Sequence, residues 1–167
     1  MKKRKPYYKI VDGVVVGIVP LTCNKEVMID AEDLPFIGQW NWCYHNEYAI
    51  RNNAKGELPT QVFMHRILNK TPNGFDTDHV DRDKLNNRKC NLRTCTRSQN
   101  KKNCSPRGVS KYVGVSWINE IKKWRVSIRI NGKKTHVGSY ANELEAAKAY
   151  NDAASFFYGE YASINVL

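Results

Sequence analysis

The sequence predicts an α+β protein: a small antiparallel β region at the N-terminal end, a strand–strand–helix unit in the middle, and a C-terminal three-stranded antiparallel sheet packed on one helix. Three observations carry that prediction. Residues 7–20, YYKIVDGVVVGIVP, are rich in β-branched side chains and broken by Asp12-Gly13, a two-residue hairpin signal. Residues 123–140 repeat the signal at Asn131-Gly132, and the run before it alternates, with Trp124, Val126, Ile128 and Ile130 on one face and Arg125, Ser127 and Arg129 on the other. Residues 142–158 carry Ala147, Tyr150, Ala154 and Phe157 at helical spacing, opened by a capping-box-like Asn142 and Glu145 and closed by Gly159.

Composition bounds the rest. A chain of 167 residues with 41% hydrophobic content suits two or three small cores rather than one large one. Its net charge of +11, from 27 Lys and Arg against 16 Asp and Glu, suits a polyanion, either nucleic acid or an anionic membrane surface. No apolar run approaches the roughly 20 residues of a membrane span. The start, MKKRKPYYKI, is basic but lacks a following apolar stretch, so no secretion signal is expected and the protein is placed in the cytoplasm. The five cysteines, Cys23, Cys43, Cys90, Cys95 and Cys104, are odd in number and contain no Cys-x-x-Cys pair, which argues against a disulfide framework and against a structural zinc.

The remaining elements follow in order. Residues 1–6 form a basic arm, read as a solvated terminus. Short strands at 27–29, 40–44 and 47–51, with turn residues at 30–33 and 52–56, extend the N-terminal β region, and Trp40, Trp42 and Tyr48 are its expected core. Residues 58–70 pass from an extended start to a short helix carrying Met64, Ile67 and Leu68. His65 stands at its beginning beside an apolar face and is read as structural, with a supporting or phosphate-facing role as the alternative. A strand over 75–80 ends at Asp78 and His79, a polar loop covers 81–87, and a second strand returns over 91–95. Thr96 is the expected N-cap of a helix running to about Lys102, with Asn100 on its second turn.

Chemistry concentrates in 77–100, TDHVDRDKLNNRKCNLRTCTRSQN, where Asp78 and His79 are followed by Asn91 and Asn100. A carboxylate and a neutral oxygen donor suit a hard divalent cation with positions left for phosphate and water. A histidine titrating near neutral pH suits proton abstraction from the attacking water. The stretch resembles the HNH nuclease motif, a ββα-metal fold, in the phage homing-endonuclease version whose last position is Asn. The resemblance implies Asp78 and Asn100 as ligands of one Mg²⁺ or Mn²⁺, His79 as general base, and Asn91 as the residue that bonds backbone across the loop and holds His79. The loop departs from the family at Arg82 or Asp83, where Gly is usual. Met64, His65 and Arg66, with the strands before them, also resemble the amino-terminal part of phage HNH proteins.

A second pattern starts at Lys111. Residues 101–140 hold ten Lys and Arg against a single acid, Glu120, and the predicted sheet leaves its basic face free. A three-stranded sheet of this kind can enter the major groove. YVGVSW, KWRVSIRINGKKTHVGSY, ELEAAKAYNDAA and YGEYASIN resemble the DNA-binding domain of plant ethylene-response factors, the Apetala-two type, over residues 111–166. Carried over by position, the resemblance implies Ser116, Trp117, Arg125, Ser127, Arg129, Lys134 and His136 as groove-facing. Val113, Ser116 and His136 depart from the residues usual in plant members. Lys101, Lys102 and Arg107, in a Pro-, Gly- and Ser-containing stretch, are expected to track phosphates.

Together these readings predict three parts: residues 1–104 with an HNH motif at 77–102, a linker at 105–110, and a DNA-binding domain at 111–167. The expected function is a site-directed endonuclease acting on double-stranded DNA as a monomer or homodimer, without a membrane partner. The alternative is a DNA-binding regulator with an inactive nuclease scaffold. An RNA-directed nuclease suits the sheet less well, because side chains cannot read the deep, narrow major groove of A-form helices.

Overall fold

A computed structural model describes residues 5–56, 58–106 and 108–167; Arg107 and residues 1–4 of the basic arm lie outside the described residues. The fold is α+β, with several small antiparallel sheets and few helices. The chain divides into two compact units, Met1–Arg97 and Ser98–Leu167.

In the first unit, β1 (Tyr7–Val11), β2 (Val14–Pro20) and β3 (Glu26–Asp30) form one antiparallel sheet in that order. Asp12 and Gly13 connect β1 to β2 with φ of +49° and +77°, the left-handed pair that a two-residue hairpin needs. The short helix α1 (Leu34–Ile37) precedes a second sheet of β4 (Cys43–His45), β5 (Tyr48–Asn52) and β6 (Gln61–Phe63), which runs directly into α2 (Met64–Leu68). A two-stranded ribbon, β7 (Asp76–His79) and β8 (Leu92–Cys95), completes the unit. A single hydrophobic cluster draws on all of these layers: Val27 and Ile29 from β3, Leu34 and Ile37 from α1, Met64 and Leu68 from α2, and Leu92 from β8, with Trp42 among them.

The strand expected over 40–44 begins only at Cys43. Trp42 turns inward from irregular backbone, where its Nε1–H donates to the Ile37 carbonyl at 2.9 Å, so burial of the indole overrides the extended run. The helix expected to reach Lys102 is shorter too. α3 (Arg97–Asn100) is one turn with Asn100 as its last residue, and Lys102 and Asn103 continue in i→i+3 turns that donate to Gln99 and Asn100.

In the second unit, β9 (Val115–Ile118), β10 (Lys123–Ile130) and β11 (Lys133–Tyr140) form a sheet in the order β11-β10-β9, and α4 (Glu143–Tyr158) packs on one face. Asn142 caps α4 by accepting from the Leu144 and Glu145 amides. Val115, Val126 and Ile128 meet Ala146, Ala147, Tyr150 and Ala154 in the core, the alanines letting the helix lie close. Gly114 makes this approach possible: its φ is +76°, and a β-carbon there would fall inside the Tyr150 ring.

The β10–β11 register shifts by one residue. Val126 pairs with Gly138, but Ser127 pairs with His136, leaving Val137 as a bulge. Beyond α4, the Asn165 side chain accepts from the Val113 amide and donates to its carbonyl, and Asn151 bonds both backbone groups of Asn165. The stretch before Lys111 is also bonded into this unit: Ser163 donates to the Cys104 carbonyl and Ser110 to Glu143. Among the described residues no helix is long and apolar enough to cross a membrane.

Candidate active site and nucleic-acid face

Asp78 and His79 close β7, and both side chains are buried. Successive strand residues project from opposite faces, and the register pairs Asp78 with Arg93 and His79 with Leu92. The two neighbours therefore meet different surroundings. Asp78 Oδ2 accepts from Arg93 Nε at 2.9 Å and Nη2 at 2.6 Å, a charge-assisted pair in which the carboxylate is buried and the guanidinium partly so. His79 lies against an aromatic group: its ring centroid is 5.2 Å from His65 and 6.3 Å from Tyr48, with Phe63 packed on both of these.

His79 is held from the loop. Its Nε2 lies 2.7 Å from Oδ1 of Asn87, which is almost fully buried. With that oxygen as acceptor, the proton sits on Nε2 and the basic lone pair on Nδ1. Burial pushes the His79 pKa below the ordinary histidine value, while the Asn87 bond and the carboxylates of Asp81, Asp78 and Asp83 pull it back up. His65 is more extreme. Its Nδ1 is buried without a hydrogen-bond partner, and burial, reinforced by His79 and Arg66, pushes its pKa down to about 3.

The loop that carries Asn87 is fixed at several points. Met28 of β3 donates to the Leu85 carbonyl at 2.8 Å and accepts from the Asn87 amide at 2.7 Å. Asn91 accepts from the Asp81 amide at 2.9 Å and donates to Asp81 Oδ1 and the Asn86 carbonyl, each at 2.8 Å, so its side chain spans the loop. Arg82, where the resembled motif usually has Gly, takes the left-handed φ of +68° and donates to the His79 carbonyl at 2.9 Å. The turn that Gly would favour is thus kept, at a conformational cost of about 1–2 kcal/mol. Asn100 falls in the second unit, at the end of α3.

In the second unit the face away from α4 carries the cations. Arg125 pairs across the ladder with Ser116 and Ser139, Ser127 with His136, and Arg129 with Lys134. Residues directly opposite share a face. A concavity of about 330 Å³ opens there, lined by Ile118, Ile121, Arg125, Ser127, Lys134, His136 and Ser139.

Two placements correct the sequence reading. Trp117 pairs with Trp124, a residue of the α4 side, and meets its ring edge-on with centroids 5.0 Å apart, so it shares the face of Val115 and not that of Arg125. Lys102 does not stand free to follow phosphates: its ammonium donates to the Arg129 carbonyl at 2.9 Å and sits over the Tyr158 ring at 4.3 Å. Lys101 is exposed, and Arg129 Nη1 donates to the Gly132 carbonyl of its own hairpin turn.

A family model described as HNH endonuclease matches residues 70–102, the segment that carries Asp78, His79, Asn87, Asn91 and Asn100. That stretch is similar to HNH endonucleases. An uncharacterized HNH endonuclease of Acanthamoeba polyphaga mimivirus is 28% identical over 139 residues, covering 82% of this chain and 73% of that protein. Two plant proteins align with about 37–38% of the chain: dehydration-responsive element-binding protein 2E of Arabidopsis thaliana, 38% identical over 65 residues, and dehydration-responsive element-binding protein 2A of Oryza sativa, 36% identical over 63. The chain spans only 27% and 21% of their lengths. The HNH match and the viral relative imply a nuclease.

HNH nucleases generally use a divalent metal ion, and the donor chemistry in the HNH segment fits one. Asp78 offers a carboxylate oriented by Arg93, and hard oxygen ligands of this kind suit Mg²⁺. Among the described residues no group of three or more His, Cys, Asp and Glu is placed to hold a metal ion. Sequence reasoning missed Asn87 and Arg93, the groups that orient His79 and Asp78. The cross-strand register was the signal for Arg93; nothing local marked Asn87.

Proposed function

We propose that the protein is a site-directed DNA endonuclease of the phage homing type, hydrolysing a phosphodiester with one divalent metal ion and His79 as general base. The observation that carries this reading is the grip of Asn87 on His79 Nε2, which leaves Nδ1 as the proton acceptor inside the segment similar to HNH endonucleases. His79 accepts the proton of the attacking water at Nδ1, and burial favours the neutral ring that this requires. Asn87 sets the tautomer, and Asn91 fixes the loop from which Asn87 reaches. Asp78, with Asn100 as its amide partner, would hold the ion, and Arg93 orients the carboxylate. When bound, Mg²⁺ or Mn²⁺ supplies charge stabilisation at the phosphate and the leaving 3′-oxygen.

In this reading residues 1–104 cut, 105–110 connect, and 111–167 position the enzyme on double-stranded DNA. The cationic face of β10 and β11 and the partial similarity to dehydration-responsive element-binding proteins support the last role. One site per chain suits nicking by a monomer, and cutting both strands calls for a homodimer or a second event. The protein would act in the cytoplasm of the cell that makes it, within reach of DNA.

Supercoiled plasmid carrying a binding site, incubated with protein and Mg²⁺ with and without chelator, tests the proposal. Wild-type protein should nick the plasmid in Mg²⁺, and His79→Ala should bind it unchanged without nicking. Binding without nicking by the wild-type protein would instead favour a DNA-binding regulator.

A further inference from the structure

Two side chains on the cationic face of the second unit differ in chemistry from their neighbours. Ile118 ends β9 and Ile121 lies in the turn before β10, and both line the concavity that contains Arg125, Lys134 and His136. Neither belongs to the core beneath α4, which draws on Val115, Val126 and Ile128 from the opposite face. Ile121 is 52% exposed. An isoleucine left in water forgoes the stabilisation that burial brings. Ile121, half exposed, and Ile118, partly exposed, inside one cationic hollow point to a partner that covers them.

That partner must present anionic or hydrogen-bonding groups to Arg125 and Lys134, and an apolar group to the isoleucines a few ångströms away. Duplex DNA does both in its major groove. Phosphates and guanine edges answer the cations, and among the base edges displayed there thymine is distinguished by its 5-methyl group. We propose that Ile118 and Ile121 read a thymine methyl, and that this contact, set beside the anchor at Arg125, selects among the sequences the sheet binds. The inference rests on the DNA-binding reading of this face and adds to it the base that is recognised.

The test separates the two. The full chain, in chelator to prevent cutting, is used to select duplexes from a random library, and affinities are then measured for the selected duplex with each thymine replaced in turn by deoxyuridine, which removes only the methyl. At one selected position the replacement should weaken binding about fourfold, the worth of one buried methyl-sized group. In the Ile118→Ala/Ile121→Ala double variant, checked for fold by circular dichroism, that difference should vanish. Should the double variant fail to fold, Ile121→Ala alone, at the half-exposed position, should reduce the difference. Enrichment without any deoxyuridine effect overturns the inference and leaves DNA binding intact. A deoxyuridine effect that persists undiminished in the variants places the methyl contact elsewhere and overturns it equally. Failure to enrich any duplex removes the DNA-binding reading itself, and this inference with it.

Discussion

Lowering the pH from 7 to 5 should destabilise the first unit through one side chain, His65. The ring is 7% exposed and its pKa is pushed to about 3, against about 6.5 for a histidine in an unfolded chain. Above pH 6.5 neither state binds a proton there. Below it the unfolded chain takes one up and the folded protein does not, so stability falls as pH falls and goes on falling to about pH 3. At pH 5 the unfolded state is favoured by a factor of about 30 in proton uptake, or about 2 kcal/mol. His79, also pushed down by burial, acts in the same direction. The contribution of His65 is therefore the difference in pH dependence between the wild-type protein and His65→Leu. Hydrogen exchange at the buried Ala49 and Ile50 amides of β5, corrected for intrinsic rates, reads the opening of this unit alone. The wild-type protein should lose about 2 kcal/mol more than the variant between pH 7 and 5. Equal losses would mean that His65 protonates freely in the folded state, and the burial argument would fail.

Other outcomes follow from the same geometry. Because His79 is pushed below the ordinary histidine range, plasmid nicking should hold its rate as pH falls through about 6.5 and decline only below that; a decline centred at or above 6.5 in the pH–rate profile would contradict this. Gly114→Ala should lower the stability of the second unit by about 2–4 kcal/mol in thermal melts, from left-handed backbone strain and collision with the Tyr150 ring together. Asn91→Asp should nick DNA more slowly than Asn91→Ala, because a carboxylate there faces the Asn86 carbonyl and the Asp81 carboxylate where the amide now donates; comparison of single-turnover rates decides it.

Much of the framework was legible because local chemistry dictates it. Asp12-Gly13 and Asn131-Gly132 both adopt the paired positive φ values that few other residues tolerate, and β10, β11 and α4 fall where alternation and the Asn142 cap place them. Asn87 was not legible, because the choice between it and Asn86 is made by β3, whose Met28 bonds the backbone on either side of Asn86 and turns Asn87 toward His79. Tyr48 and His65 pack on the His79 ring, and Phe63 packs on both of them, from two strands and a helix that only tertiary packing brings together. Trp117 was misplaced by positional resemblance, although plain alternation from buried Val115 assigns it to the helix side. Lys102 shows the limit of counting charges: an ammonium that looks available in the sequence is already spent on a carbonyl and a tyrosine ring.

The extra residue at Val137 makes one position of β11 dispensable and its neighbours not. On the turn side of it Lys134 and His136 stand with the cations of β10; on the far side Ser139 does so and Tyr140 lies with Trp124 toward α4. Because Ser127 pairs with His136 and Val126 with Gly138, every residue of the strand except Val137 already holds the partner that an even ladder would give it. Deletion of Val137 therefore closes the bulge and leaves both halves of the strand facing as before. Deletion of Lys134 closes it differently: Thr135, His136 and Val137 each move one place toward the turn, and His136 passes from the cationic face to the side of α4. A library that samples codon deletions across 133–137 should return folded, DNA-binding protein most readily where the lost codon is that of Val137.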